Sequence, residues 1–405
     1  MTTALEREAR RTALILAAAQ SVVGAAAPVA ISMGALTGVY LLGPDKSLAT
    51  APVTGYNLGV ALGALPAAAL MRAVGRRYGF MSGASITALG GALAALAIFQ
   101  GSFWAFAACL VLVGLGGSFV QQYRFAAADN APHAFKPKAI SWVLGGGVFA
   151  AIIGPQMVIF TRDAFAPVSF AGAYAGIIAL GLLGVLVLSL LRLPRDQVSD
   201  PTVLEDAPAR PLSVIMRQPR FAVALVCAIG SYALMSFVMT GAPLAMVGCG
   251  FTPDEATLGI SWHVMAMFAP SFFTGRLIAR FGKETIVATG MVLLIGCAIV
   301  ALSGIALWQF WLALILLGVG WNFGFIGATA MVAETYTAAE KNKVQGAHDF
   351  MLFGTVAFAS LMSGQVYNAG GWDMLNWIIF PVVLFCLVAL GFLLVLRERG
   401  GEAIS

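Results

Sequence analysis

Residues 220–280 read RFAVALVCAIGSYALMSFVMTGAPLAMVGCGFTPDEATLGISWHVMAMFAPSFFTGRLIAR. Two apolar runs, each long enough to cross a hydrocarbon core at about 1.5 Å of rise per residue, flank a short turn at 250–255. This is the pattern of a helical hairpin in a membrane, and it sets how the rest of the chain is read. Of the 405 residues, 60% are hydrophobic and only 10% charged, which excludes a soluble globule and leaves a polytopic membrane protein. Residues 1–11 are polar and charged and lead into further spans rather than a small-residue cleavage site, so no cleavable signal peptide is expected. The formal charge of +5 calls for no nucleic-acid partner, because the cations gather in loops.

Outward from the hairpin, apolar runs recur at 12–42, 51–70, 80–99, 103–123, 139–160, 169–191, 221–246, 258–278, 287–307, 311–331, 344–367 and 375–396. The expected fold is an all-α membrane protein of twelve transmembrane helices. Alternating loops collect the cations: Arg72, Arg76, Arg77, Arg124, Arg276, Arg280, Lys283 and others on one side, and only Lys46 and Arg162 on the other. Cations favour the cytoplasmic side, so both termini are expected there, with the helices in the lipid bilayer.

The longest polar segment, 194–219, divides the chain into a six-helix half at 1–193 and another at 220–405. The halves echo each other. Gly75-Arg76-Arg77 recurs as Gly282-Lys283, and GLGGSF at 114–119 recurs as GVGWNF at 318–323. A transporter built from two such bundles carries its substrate at their interface near mid-membrane.

Within the hairpin, Met235 and Met239 stand four residues apart on the first helix, and His263 and Met267 four apart on the second. Counted from the turn, the pairs fall at matching depths, and an i, i+4 spacing puts each pair on one helix face. Three thioethers and an imidazole form a soft, nearly uncharged ligand set that favours Cu(I) over oxygen-loving cations. Cys227 and Cys249, toward the two ends of the same helix, could relay the ion by ligand exchange. All 18 Asp and Glu fall in loops or at helix ends, so no intramembrane carboxylate is expected, and an enzyme is not.

The loops LMRAVGRRYG (70–79) and GRLIARFGKE (275–284), together with the two six-span halves, resemble the major facilitator superfamily. The aspartate of that family's loop motif is replaced here by Arg72 and Ala279. The resemblance implies alternating access with a gate near Arg72, Arg76, Arg77, Arg280 and Lys283. Arg124, Asp129 and Glu334 stand either as substitute gate ion pairs or as helix ends in the headgroup region. The Met-x-x-x-Met and His-x-x-x-Met pairs resemble those of the CcoA-type bacterial copper importers. That likeness implies Met235, Met239, His263 and Met267 as ligands of a copper ion carried across the inner membrane as substrate. It further implies no resident cofactor, delivery to cytoplasmic copper-accepting thiols, and supply of a haem-copper cytochrome oxidase. The alternative is a facilitator for a small organic solute, a vitamin or a drug, with the Met and His side chains merely lining an apolar cavity.

Overall fold

The computed structural model describes residues 4–129, 131–132, 135–192, 210–337 and 340–402. Most of the expected linker 194–219 therefore lies outside the described residues. Among the described residues the chain is helical throughout, with no strand. The first half contains α1 (Ala4–Val23), α2 (Ala26–Leu41), α3 (Ala51–Val74), α4 (Arg76–Phe99), α5 (Phe103–Val120), α6 (Tyr123–Asp129), α7 (Lys136–Thr161) and α8 (Ala171–Ser189). After the stub α9 (Leu212–Met216) come α10 (Pro219–Gly248), α11 (Pro253–Phe268), α12 (Ser271–Phe281), α13 (Lys283–Leu302), α14 (Leu307–Val332), α15 (Lys341–Trp377) and α16 (Ile379–Glu402).

These helices make twelve crossings. The pair α1 and α2 forms one span, α5 runs on into α6, and α11 with α12 is one span bent by 43°. The apolar stretch Lys343–Leu396 holds 54 residues, more than twice what one crossing uses. It divides near Gly371, whose φ of 66° lies in the region glycine alone adopts freely. Large apolar side chains such as Leu65, Phe160, Leu182 and Leu186 face outward, as a lipid-solvated surface requires.

The span expected at 258–278 is bent at Ala269–Pro270. Proline has no N–H to donate and its ring crowds the preceding turn. Asn322 on α14 holds the bend. Its Nδ2 donates to Met267 O at 2.6 Å and to Ser271 Oγ at 2.8 Å, while Thr274 Oγ1 donates to Asn322 Oδ1 at 2.6 Å. Backbone groups loosened inside a membrane need such partners. At the other end α11 begins with a capping box, Thr252 Oγ1 accepting from Glu255 N at 3.2 Å and Glu255 Oε2 from Thr252 N at 2.8 Å.

The echo in sequence is an echo in packing. A Cβ placed on Gly114 would stand 2.0 Å from Tyr56 O, and one on Gly318 would stand 2.5 Å from His263 O. Gly116 likewise lies against Gly83 O, and Gly320 against Gly290 O. Both halves thus seat the same pair of spans backbone to backbone, the small-residue contact that holds helices together where lipid offers no hydrophobic drive.

The halves meet chiefly on the face opposite the Arg- and Lys-rich loops. There Arg162 at the end of α7 reaches Asp254 at the start of α11, Nη1 to Oδ1 at 2.6 Å. Thr50 Oγ1 donates to Leu361 O at 3.2 Å, Thr54 and Ser360 share a hydroxyl contact at 3.1 Å, and Ser261 Oγ donates to Ala151 O at 2.5 Å. These contacts close one end of the interface and leave the basic end for the cavity to face.

Candidate functional site

Between the halves lies a cavity of about 950 Å³ of atom-free space, its open mouth included. From the first half come Gln20, Ile31, Tyr56, Asn57, Thr87, Gly117 and Gln121, carried by α1 through α5. The second half supplies Tyr232, Met235, Ser236 and Met239 from α10, Val264, Met267 and Phe268 from α11, and Phe353 from α15. Among the described residues, no Asp, Glu, Lys, Arg, His or Cys lines it. A cavity that is mostly apolar with a few amides and hydroxyls suits an organic solute with both apolar and polar parts.

Three of the four expected ligands are on this wall: Met235, Met239 and Met267. His263 is not. It is fully buried, and its Nδ1 lies 2.8 Å from Leu314 O on α14. A carbonyl only accepts, so Nδ1 carries the hydrogen, and Nε2 is left buried without a partner. The reason is angular. Four residues at about 100° each overshoot a full turn by roughly 40°, so His263 and Met267 share a face only loosely. The cavity edge falls between them, with Val264, Met267 and Phe268 on one side and His263 pressed on α14 on the other.

The expected relay does not border the cavity either. Cys227 is buried and turned toward α16, its Sγ 3.8 Å from Cys386 O, while Cys249 is exposed beyond the end of α10. Neither thiol stands on a path from the methionines, because α10 presents Tyr232, Met235 and Met239 to the cavity and carries Cys227 on another face.

Around the basic loops Arg76, Arg77, Lys283 and Glu334 find partners inside their own halves, whereas Arg124 interacts electrostatically with Asp349 and Tyr232 of the second half. Arg76 pairs with Asp129 at 2.8 Å, and Arg77 donates to Ser189 O at 2.6 Å. Arg72 is exposed. Arg124 lies over the Phe125 ring at 4.8 Å and Arg280 over Phe281 at 5.1 Å. Glu334 takes both Lys283 and Arg220. The Lys283 hydrogen bond first, with Arg220 beside it, holds the Glu334 carboxyl below its ordinary range. Asp129 and Glu334 each pair within one bundle. Arg162 with Asp254, an ion pair within hydrogen-bond distance that crosses between the halves, is on the other face and has no counterpart in the sequence expectations. Its signal was present: Arg162 is one of just two cations assigned there. Sequence reasoning also passed over Asn57, Gln20 and Gln121, whose neutral amides stand alone among small residues and form no motif.

The sequence profile of the Major Facilitator Superfamily matches residues 12–270 and 225–404. A riboflavin transporter of Brucella anthropi is 51% identical over 395 residues, covering 98% of each chain. An uncharacterized transporter of the same superfamily from Bacillus subtilis is 27% identical, covering 93% of this chain and 92% of its own. Among solved structures, the E. coli xylose transporter XylE in a partially occluded inward-open form aligns with a TM-score of 0.68 at 13% identity, covering 94% of this chain and 97% of its own. The transporter FucP in its outward conformation aligns at 0.60 and 15%, covering 93% and 97%.

These findings overturn the copper reading. A relative so similar from end to end is a riboflavin transporter, not a CcoA-type importer. With copper go metal binding as the role of Met235, Met239, His263 and Met267, the handover to cytoplasmic thiols, and the supply of cytochrome oxidase. The physical error was to take four soft side chains at one depth for one site, when the imidazole belongs to a helix contact and the thioethers to the wall of an uncharged cavity. Twelve helical crossings, two echoing halves, and a family match over nearly the whole length leave one conclusion: the chain belongs to the major facilitator superfamily, whose members are transporters and not enzymes.

Proposed function

We propose that this protein carries riboflavin across a bacterial inner membrane by alternating access. The observation that carries the reading is the 51% identity over 98% of the chain to a riboflavin transporter. The cavity is in keeping with it. Riboflavin is uncharged, flat and aromatic along one part and rich in hydroxyls along another. The wall offers aromatic rings and thioethers beside amides and hydroxyls. In this assignment the basic face is cytoplasmic, both termini lie there, and the contacts around Arg162 and Asp254 close the outer side. The structure then represents a form facing inward.

The test is growth. A bacterial host unable to make riboflavin and stripped of its own uptake system should grow on limiting riboflavin when it expresses this chain, and should accumulate labelled riboflavin. Neither growth nor accumulation, with the protein present in the membrane, would sink the proposal. Copper accumulation should be the same with and without the chain.

A further inference from the structure

The two walls of the cavity differ in chemistry, and the difference assigns parts of a bound flavin to each. On the side of the second half, Tyr232 is the hub of an aromatic cluster. Its ring lies edge-on to Trp321 at 5.3 Å, to Phe325 at 5.1 Å and to Phe353 at 5.8 Å, and Phe268 stands 6.5 Å from Trp321. Met235, Met239 and Met267 continue that surface, and thioether sulfur makes favourable contacts with aromatic rings. The first half contributes amides instead, Gln20, Asn57 and Gln121, among small residues.

Two polar atoms on these walls are buried with no hydrogen-bond partner: Asn57 Nδ2 in the first half and Ser236 Oγ in the second. Buried donors are nearly always paired, and both residues border the cavity. Tyr232 is one helical turn before Ser236 on α10, on the basic side of it. The aromatic cluster therefore lies nearer the basic mouth, and Asn57 and Ser236 nearer the closed end.

We infer that Asn57 and Ser236 are the selective polar contacts of the carrier, one from each half, and that Tyr232 with its aromatic and thioether neighbours takes the flat ring. This rests on the riboflavin reading. Asn57 donates to a carbonyl or hydroxyl oxygen of the solute, and Ser236 completes the polar end from across the cavity. Because the two residues belong to different halves, the solute's polar end ties the halves together only while both surround it.

The experiment uses the full-length protein in nanodiscs and the quenching of riboflavin's own fluorescence as it stacks on the aromatic wall. Phenazine, a flat tricycle without a polyol chain or a carbonyl edge, serves as competitor. Asn57→Ala and Ser236→Ala should each weaken riboflavin about tenfold, as loss of one buried hydrogen bond does, and leave competition by phenazine unchanged. Tyr232→Leu should weaken both and reduce the quenching at saturation. Equal loss of both ligands in Asn57→Ala and Ser236→Ala would mean structural damage and overturn the inference, as would no loss of riboflavin in either. If the parent protein binds no riboflavin, the transport reading itself falls, an outcome distinct from these.

Discussion

Tyr56 and His263 occupy corresponding places in the two halves. Each has its backbone carbonyl under a glycine of the neighbouring span, Gly114 for one and Gly318 for the other. Their side chains go different ways: Tyr56 borders the cavity, and His263 turns onto Leu314 of α14. The backbone contact that builds the bundle is shared between the halves, whereas the residues that meet the solute are not. A repeat in sequence therefore reports the scaffold and says little about the site.

The scaffold side of that comparison predicts the largest effect. Gly114→Leu and Gly318→Leu drive a branched side chain into a carbonyl that already stands 2.0 or 2.5 Å from where a Cβ would be. Overpacking of this kind costs about 1–3 kcal/mol when neighbours can shift, and more where the obstacle is backbone. Both variants should lose most of their monodisperse protein in detergent. Gly346→Leu, where a Cβ meets nothing within 4 Å, should keep it. If either tight variant were as stable as the parent, the shared contact would not be what holds the halves in shape.

The site side predicts a smaller, selective effect. His263→Leu removes a buried side-chain hydrogen bond to Leu314 O, a carbonyl that keeps its place in the ladder of α14, and costs roughly 0.5–1.5 kcal/mol of stability. Its mark should be a lowered melting temperature, with the KM for riboflavin little changed in the protein that remains folded. Met235→Leu, Met239→Leu and Met267→Leu keep size and apolarity and should transport riboflavin within about threefold of the parent. Transport abolished by all four substitutions alike would restore the idea that these side chains act as one polar site.

What the sequence disclosed follows the same division. The twelve spans were legible because hydrophobic length is a local property, and so were the paired glycines at 75 and 282 and at 114 and 318. Both Gly75 and Gly282 have φ near +85°, at 84° and 85°, where a side chain would be strained. The site was half legible. Depth and spacing placed Met235, Met239 and Met267 on the cavity, since helix periodicity carries that far. They could not tell that α14 would claim His263, because which neighbour covers a helix edge is a matter of tertiary packing. Nor could they distinguish a thioether that binds metal from one that packs against a ring, as the same soft, polarizable sulfur serves both. Asn57 and Ser236 were invisible for a further reason: a lone amide or hydroxyl matters only once the groups around it fail to satisfy it.

The smallest predicted effect concerns the two ends of the interface. On the basic face Asp129 and Glu334 pair within their halves, and on the opposite face Arg162 and Asp254 pair between them. If that asymmetry marks the inward-facing form, the Arg162–Asp254 pair stabilises this form and no other. Arg162 also holds Asp163 at 2.8 Å, so it stays partly paired when Asp254 is neutralised. Partly exposed ion pairs contribute about 0–1 kcal/mol, which corresponds to at most a few-fold change in the ratio of inward to outward forms. Asp254→Asn and Arg162→Gln should each increase labelling of a Thr54→Cys reporter, in a Cys249→Ser background, by an impermeant maleimide added from the face that carries Arg162. Thr54 suits this because its hydroxyl meets Ser360 only when the halves are closed on that side. The double variant should label no faster than the stronger single one, since removing either partner already breaks the contact. Strict additivity would show that the two charges act separately, and unchanged labelling in all three would show that the remaining hydroxyl contacts, Thr50 with Leu361 and Ser261 with Ala151, keep this end shut without them.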